Sequence, residues 1–439
     1  MVRGLKSTLA LIVVLGGLLG YIYFVDAKKP AAGTETKPKA VTVAADQIEE
    51  VQIKSAAGET TRVRKAGDKW TVVEPVSADA DSSELSSLTS GLADLEIQRV
   101  VDENPGDLSP YGLNPPRVDV AYRVKGQNDF SHVLLGEKTP TGGDLYAKRP
   151  DEKRVFLVAS YLDNTFNRTS FDLRDKSVLK IESDKVDGLE ISQGTQTVQF
   201  AKAGSTEWKI VKPVAARGEY GSIESLVGRL AGARMQKVVE ADATRLKQYG
   251  LDRPAARATV SMGSAKATLI VGKIENEAAY AMDASKPMIF TIDKSLAEEL
   301  NKGVSEYRRK DVFEFRPFTA TQVKITRGAE TFGVEKSSDK DGKEVWRNAA
   351  AKVVDNAKVE DVLNKLSSLR AQSFEAAANP SLKKPILTVT AKFNEENTET
   401  VNFGRAGSDV FAGRSDEPGS AKLEANSFDE AEKALEQLK

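Results

Sequence analysis

Apolar and polar positions alternate along most of the chain after residue 47. Val51-Gln-Ile-Lys54, Thr61-Arg-Val-Arg64 and Trp70-Thr-Val-Val73 place apolar side chains with a period of two, the spacing of half-buried strands. Turn residues separate them at Ala57-Gly58 and Ala66-Gly67-Asp68, so the stretch predicts a meander of three strands. Leu85, Leu88, Leu92 and Leu95 then recur at helical spacing. They predict an amphipathic helix entered at Asp79 and Asp81, short acids suited to capping a first turn. Further strands are predicted over 117–124, 131–135, 145–148 and 155–158. A short helix over 161–168 follows, closed by Phe171-Asp-Leu-Arg-Asp-Lys176.

The pattern then begins again. The chain has three tryptophans, Trp70, Trp208 and Trp346, each 138 residues from the next. Trp70-Thr-Val-Val-Glu-Pro75 returns as Trp208-Lys-Ile-Val-Lys-Pro213, and the leucine face of the helix returns as Ile223, Leu226 and Leu230. Tyr111-Gly112-Leu113 with Pro116 becomes Tyr249-Gly250-Leu251 with Pro254, and Leu134-Leu-Gly136 becomes Ile270-Val-Gly272. Tyr307-Arg-Arg-Lys-Asp311 echoes the segment that closed the first copy. The third copy keeps Val359, Val362, Leu366 and Leu369, Pro385, and Asn402-Phe-Gly404. It has Ala351 where a proline would follow the tryptophan, and Asn379-Pro-Ser-Leu382 in place of Tyr-Gly-Leu; its last element is a predicted helix, Phe428 to Leu438.

A fixed period of this kind marks copied units stacked in tandem, with an atypical terminal copy as a cap. The reading is an α+β chain of three homologous modules, antiparallel strand meanders each packed with a helix, over residues 48–178, 179–317 and 318–439. The repeated residues (Trp70, Pro75, Tyr111, Gly112, Leu113, Pro116, Trp208, Pro213, Tyr249, Gly250, Leu251, Pro254, Trp346 and Pro385) form its structural signature.

Ahead of the modules, Thr8 to Val25 is eighteen residues without a charge. At about 1.5 Å per residue that suffices to cross the ~30 Å hydrocarbon layer. Tyr21 and Tyr23 sit at its far end, Arg3 and Lys6 precede it, and Lys28 and Lys29 follow. Residues 1–25 therefore read as a cytoplasmic stub and single-pass transmembrane helix, with everything after residue 26 outside. A cleaved signal peptide ending near Val25-Asp26-Ala27 stays open as the rival reading. Residues 26–47, rich in Ala, Lys, Thr and Pro, read as an extended linker.

Composition narrows the chemistry. The 63 basic and 64 acidic side chains of the 439 residues nearly cancel, without the basic excess expected of a nucleic-acid binder. There is no cysteine and one histidine, His132, so no disulfide, thiol chemistry or cysteine-held metal is available. Asp339-Lys-Asp-Gly342 has the look of a calcium loop but also of a hairpin turn. Ser177-Val-Leu-Lys180 and Ser381-Leu-Lys-Lys384 match Ser-x-x-Lys without the companion motifs of the enzymes that use it. The tryptophans read as core residues or as a stacking series for glycans, and the Tyr-Gly loops as braced turns or partner contacts. No catalytic, cofactor-binding or metal residue is assigned.

The combined motifs resemble the bacterial domain-of-unknown-function family 4340 (DUF4340). Its members similarly join an amino-terminal membrane helix to Trp-x-(Ile/Val)-x-x-Pro, a Ser-Ala-Asp helix start (here Ser77-Ala78-Asp79), a Tyr-Gly-Leu loop and a Phe-x-Leu-Arg-Asp-Lys exit. The resemblance runs from Ile48 to about Pro317, with the third module a degenerate copy. It implies an exported domain of a kind often encoded beside the permease and auxiliary subunits of a gliding-motility-type ABC transport system, and it brings no catalytic residues. The expected protein is a non-enzymatic scaffold or interaction subunit of the bacterial inner membrane. Its modules would face the periplasm, with protein partners in such a complex and neither nucleic acid nor cofactor. A periplasmic glycan- or cell-wall-binding module is the alternative. A hydrolase built on a carboxylate pair is the third.

Overall fold

The computed structural model describes residues 37–394 and 396–438. The segment read as a transmembrane helix lies outside the described residues. Among the described residues, no helix is long and apolar enough to cross a membrane. The chain divides into two compact units, one ending at Asp175 and the other starting at Lys176.

In the first unit the alternating runs form β1 (Ile48–Lys54), β2 (Thr60–Ala66), β3 (Lys69–Glu74) and β4 (Ala78–Asp79). Helix α1 (Ser82–Ala93) and β5 (Arg99–Asp102) follow. Then come β6 (Val118–Val124), β7 (Ser131–Lys138), β8 (Asp144–Lys148) and β9 (Val155–Ala159), and short helices α2 (Leu162–Phe166) and α3 (Ser170–Leu173). The predicted meander and the separate strands after it are one nine-stranded antiparallel sheet, ordered β4-β3-β2-β1-β6-β7-β8-β9-β5. Its seam is the β1–β6 pair, with Val51 opposite Tyr122. From that seam β1–β4 run outward on one side and β6–β9 on the other, with β5 added beyond β9, and each run of four is followed by a helix. The module is thus an approximate two-fold repeat of a β-β-β-β-α half.

Local chemistry explains the elements. Asp81 caps α1 by accepting from the Ser83 and Glu84 amides at 3.0 and 3.3 Å, and Leu85, Leu88 and Leu92 bury against the sheet. Asp79 instead belongs to β4 and pairs with Lys69 at 2.6 Å. The span read as an extended linker is folded at its carboxyl end. Ala40 and Val41 are buried, the Ala40 amide donates to Leu95 O at 2.7 Å, and the Ile97 amide donates to Pro38 O at 2.8 Å. The apolar Ala40-Val41 step covers the end of α1, which releases its apolar surface from water.

The second unit holds two more sheets with the same strand order, spanning Gly188–Asp293 and Ala320–Leu423. Their principal helices are Tyr220–Ala231, Asn356–Ser367 and Ala425–Glu436. In the third module the helices after the two arms are both full-length and pack on each other. All three indoles are buried, Trp208 completely. Pro75 and Pro213 both follow cis peptide bonds, and Ala351 at the matching place has φ 56°.

Candidate functional site

The Tyr-Gly-Leu loops come first because two modules share them. Gly112 and Gly250 take left-handed φ of 64° and 70° at the end of a 3-10 turn, a conformation glycine enters without steric cost. The loop then crosses a strand at Gly136 or Gly272. A Cβ at either would lie under 3.0 Å from the carbonyl oxygen of Tyr111 or Tyr249. Leu113 and Leu251 bury beneath the crossing, and Leu113 bridges Pro116. The tyrosine hydroxyls reach the edge strand: Tyr111 donates to Asp102 at 3.3 Å, and Tyr249 to Glu240 at 3.0 Å. Desolvation, and then the neighbouring carboxylate, push both phenol pKa values up. In the third module Ser381 lies over Gly404, and Asn379 reaches Glu375 at 3.4 Å. Pro254 and Pro385 lead into the strands Ala256–Met262 and Leu387–Phe393. The structure therefore places the signature residues in separate packing sites, one set per module.

A different group of side chains converges where modules 2 and 3 meet. The connecting segment is hydrogen-bonded on both sides. Glu219 N–H donates to Tyr307 O at 2.7 Å and Arg309 N–H to Arg217 O at 3.0 Å; Val312 N–H donates to Leu369 O at 3.0 Å and Ala371 N–H to Lys310 O at 2.8 Å. Around it Glu417 accepts from Arg217 Nε at 2.5 Å and from Arg308 Nη2 at 2.9 Å. Arg414 binds Glu399 at 2.5 Å and Asp416 at 2.8 Å. Glu399 in turn accepts the Glu314 and Phe315 amides at 3.0 and 2.9 Å. Arg308 lies 4.0 Å over the Phe374 ring, and its buried Nε has no hydrogen-bond partner among the described residues. A cavity of about 30 Å³ remains between Arg217, Arg308, Phe374, Arg414 and Glu417, room enough for a water molecule.

This joint is suited to holding and not to proton transfer. Burial alone would depress the Arg414 pKa, but hydrogen bonds to Asp416 and Glu399 carry it above the ordinary value. Burial would raise Asp416, and the Arg414 hydrogen bond brings it below the ordinary carboxylate value. A guanidinium in that setting neither gives nor takes a proton near neutral pH. Nothing in the sequence singled out Arg217, Glu399, Arg414 or Glu417. Arg308 and Asp311 fell inside the echo of the exit segment, which was the only signal pointing here.

The remaining candidates resolve locally. His132 Nδ1 sits 2.9 Å from Asp119 in a half-exposed contact, diagonal across two paired strands. Asp339 accepts the Asp341 and Lys343 amides, each at 2.9 Å, with Gly342 at φ 79°, a hairpin turn between two strands. Ser381 Oγ is engaged by Asn379 at 2.9 Å. Among the described residues, no group of three or more His, Asp or Glu side chains is placed to hold a metal ion.

Comparison with known proteins gives one family. The model of DUF4340, a domain of unknown function, matches residues 70–208 and again 208–387. The first match runs from Trp70 to Trp208 and the second from Trp208 to Leu387, so both cut across the sheets. No curated protein matches the chain. Among solved structures, a DNA polymerase sliding clamp from Pseudomonas aeruginosa crystallised with a ligand is 8% identical. It covers 87% of this chain and 92% of its own, with a TM-score of 0.16. A DNA polymerase III beta subunit from the same organism bound to griselimycin is 8% identical over 89% and 94%, at 0.17. A putative beta subunit from Eubacterium rectale ATCC 33656 is 7% identical over 88% and 92%, at 0.17. At such scores these likenesses carry no conclusion about this chain.

Proposed function

The chain belongs to the DUF4340 family, and from that premise we propose that it is a non-enzymatic interaction subunit of a bacterial envelope assembly. Its modules would be held at the periplasmic face of the inner membrane by the segment at residues 8–25. The assembly we have in mind is an ABC-type transport complex of the gliding-motility kind, which the family resemblance implies. One observation carries the reading: the repeated residues are spent on packing. The indoles are buried, the crossing-loop glycines sit under backbone, and the tyrosine hydroxyls pin loops to edge strands. What copying has kept is therefore a packed module, and an ion-paired connector joins modules 2 and 3. Tandem units of this sort present long surfaces for partners.

The test is purification of the full chain from native membranes in mild detergents, with mass spectrometry of what accompanies it. Permease and auxiliary transport subunits at constant stoichiometry are expected. Recovery as a lone species in several detergents would overturn the reading. Protease added outside spheroplasts should cleave the modules; protection of the modules would reverse the assigned side.

A further inference from the structure

Among the described residues, module 3 leaves open a slot at a place that modules 1 and 2 fill with their own chain. The slot is a groove of about 530 Å³ lined by Ile325, Phe332, Val354, Leu387, Leu435 and Leu438, with Glu330 beside them. Its wall is the outermost strand of the third sheet, Val353–Val354. The counterparts of that strand are β4 in module 1 and Ala216–Arg217 in module 2. Register establishes the match. Val354 lies opposite Trp346, as Ala80 N–H donates to Trp70 O and Gly218 N–H to Trp208 O.

In both earlier modules an exit segment lies along that edge. In module 1, Asp81 N–H donates to Leu173 O at 2.9 Å and Asp175 N–H to Asp79 O at 2.8 Å, with Leu173 buried in the core. In module 2, Tyr307 O and Arg309 N–H make the same two bonds, to Glu219 and Arg217. The Tyr307 ring packs edge-on to Phe200 at 5.3 Å. An aromatic ring or leucine thus enters the slot and arginine follows it, as Leu173-Arg174 and Tyr307-Arg308. Glu59, which occupies the place of Glu330, accepts the Ser170 amide of the module 1 segment at 2.7 Å. The inward strand positions equivalent to Ile325 and Phe332 are buried in the filled copies: Ile53 and Thr61, Ile191 and Val198. In module 3 Phe332 is only half-buried and Val353 is 57% exposed. No described residue of module 3 lies along this edge.

We propose that this slot is a docking site for an extended segment of a partner protein, added as a strand to the Val353–Val354 edge, with a leucine or aromatic side chain in the groove and a basic residue after it. The edge offers the Asp355 amide as donor and the Val353 carbonyl as acceptor, in the places of the groups used in modules 1 and 2. Strand addition to an exposed edge draws affinity from such main-chain bonds and specificity from the pocket. The inference rests on the interaction-subunit reading and names its docking surface.

The filled copies supply the probe, a labelled peptide with the sequence of residues 167–178, NRTSFDLRDKSV. It is titrated with the purified full chain and followed by fluorescence anisotropy. Saturable one-to-one binding is expected. It should weaken at least tenfold when the peptide carries Leu173→Asp. It should weaken similarly with Asp355→Pro in the protein, a change the φ of −59° accommodates; it deletes the donor N–H together with the Asp355 cap on the Ala357 amide, so its far-ultraviolet spectrum is compared with the parent's. Phe332→Asp should do the same, with an unchanged far-ultraviolet spectrum showing that the variant folds. No saturable binding up to about 1 mM, an affinity of roughly −4 kcal/mol, would overturn the proposal. Self-association of the chain that Asp355→Pro abolishes would put a second copy in the slot and overturn the partner assignment. The assay contains no transport subunits, so its failure leaves the co-purification result standing, and a failed co-purification leaves peptide binding standing.

Discussion

Glu417→Ala tests whether buried ion pairs hold modules 2 and 3 together. The Arg217, Arg308 and Glu417 side chains are 10%, 6% and 10% exposed. Deleting the carboxylate therefore strands two guanidiniums in a nearly closed joint. Breaking a buried pair from one side costs about 3–5 kcal/mol. Arg217 keeps Glu314 at 3.5 Å and the Asp311 carbonyl at 2.9 Å, and Arg308 keeps the Phe374 face, which places the loss near the low end, about 3 kcal/mol. Hydrogen exchange read by mass spectrometry reports it directly, because the Arg309, Val312 and Ala371 amides clasp the connector to both modules. At 1.4 kcal/mol per factor of ten, their exchange should accelerate roughly 10²-fold. Amides of β1, in the other unit, provide the unchanged reference. Adding Arg217→Met and Arg308→Met to Glu417→Ala should restore much of the protection, since no stranded charge then remains. Connector exchange within about threefold of the parent, or further loss in the triple variant, would refute the reasoning.

Two glycines should respond in opposite directions to alanine. Gly272→Ala drives a Cβ against the Tyr249 carbonyl and should destabilise by at least about 1–3 kcal/mol. Gly228→Ala, on the open face of helix Tyr220–Ala231 with nothing within 4 Å, should stabilise by about 0.8–1 kcal/mol; urea midpoints check both. Glu50 is fully buried in module 1 among Arg62, Arg64 and Arg123. Burial would raise its pKa, but the three arginine hydrogen bonds bring it below 4.5. A depressed folded pKa means that the unfolded chain binds more protons there. The stability from Glu50 is thus present above pH 4.5 and lost as pH falls through the folded value. Urea titrations from pH 6 to 3 should show a fall that Glu50→Gln lessens. Finally, emission from the three buried indoles should be blue-shifted, protected from acrylamide and unmoved by soluble glycans; a glycan-dependent shift would favour the stacking alternative.

Much of the scaffold is legible in the linear text because its causes are local. Alternation marks strands as far apart as Val51-Gln-Ile and Val118–Val124, and 3.6-residue spacing marks the helix faces at Leu85 and Val359. Asp81 announces a cap, and the 138-residue echo of Trp70 announces copying. The same information marks Gly112 as a turn but leaves Gly136 unexplained. That glycine answers to a carbonyl some 25 positions earlier, brought over it only when the loop crosses the sheet. Strand order is likewise invisible, since the β1–β6 seam pairs Val51 with Tyr122 and pairing across such a distance leaves no periodic trace.

Ion pairs are the extreme case. Glu417 meets Arg217 across 200 residues. Among 64 acids and 63 bases, nothing local distinguishes the few that become buried together, because a charge acts through distance in space and is indifferent to separation along the chain. The amino-acid sequence by itself determined the repeating unit, its strands, helices, caps and turns. Tertiary structure alone decided the nine-stranded order, the joint between modules 2 and 3, and the slot left open beside Val354, since each is made by groups that come together only after long-range closure.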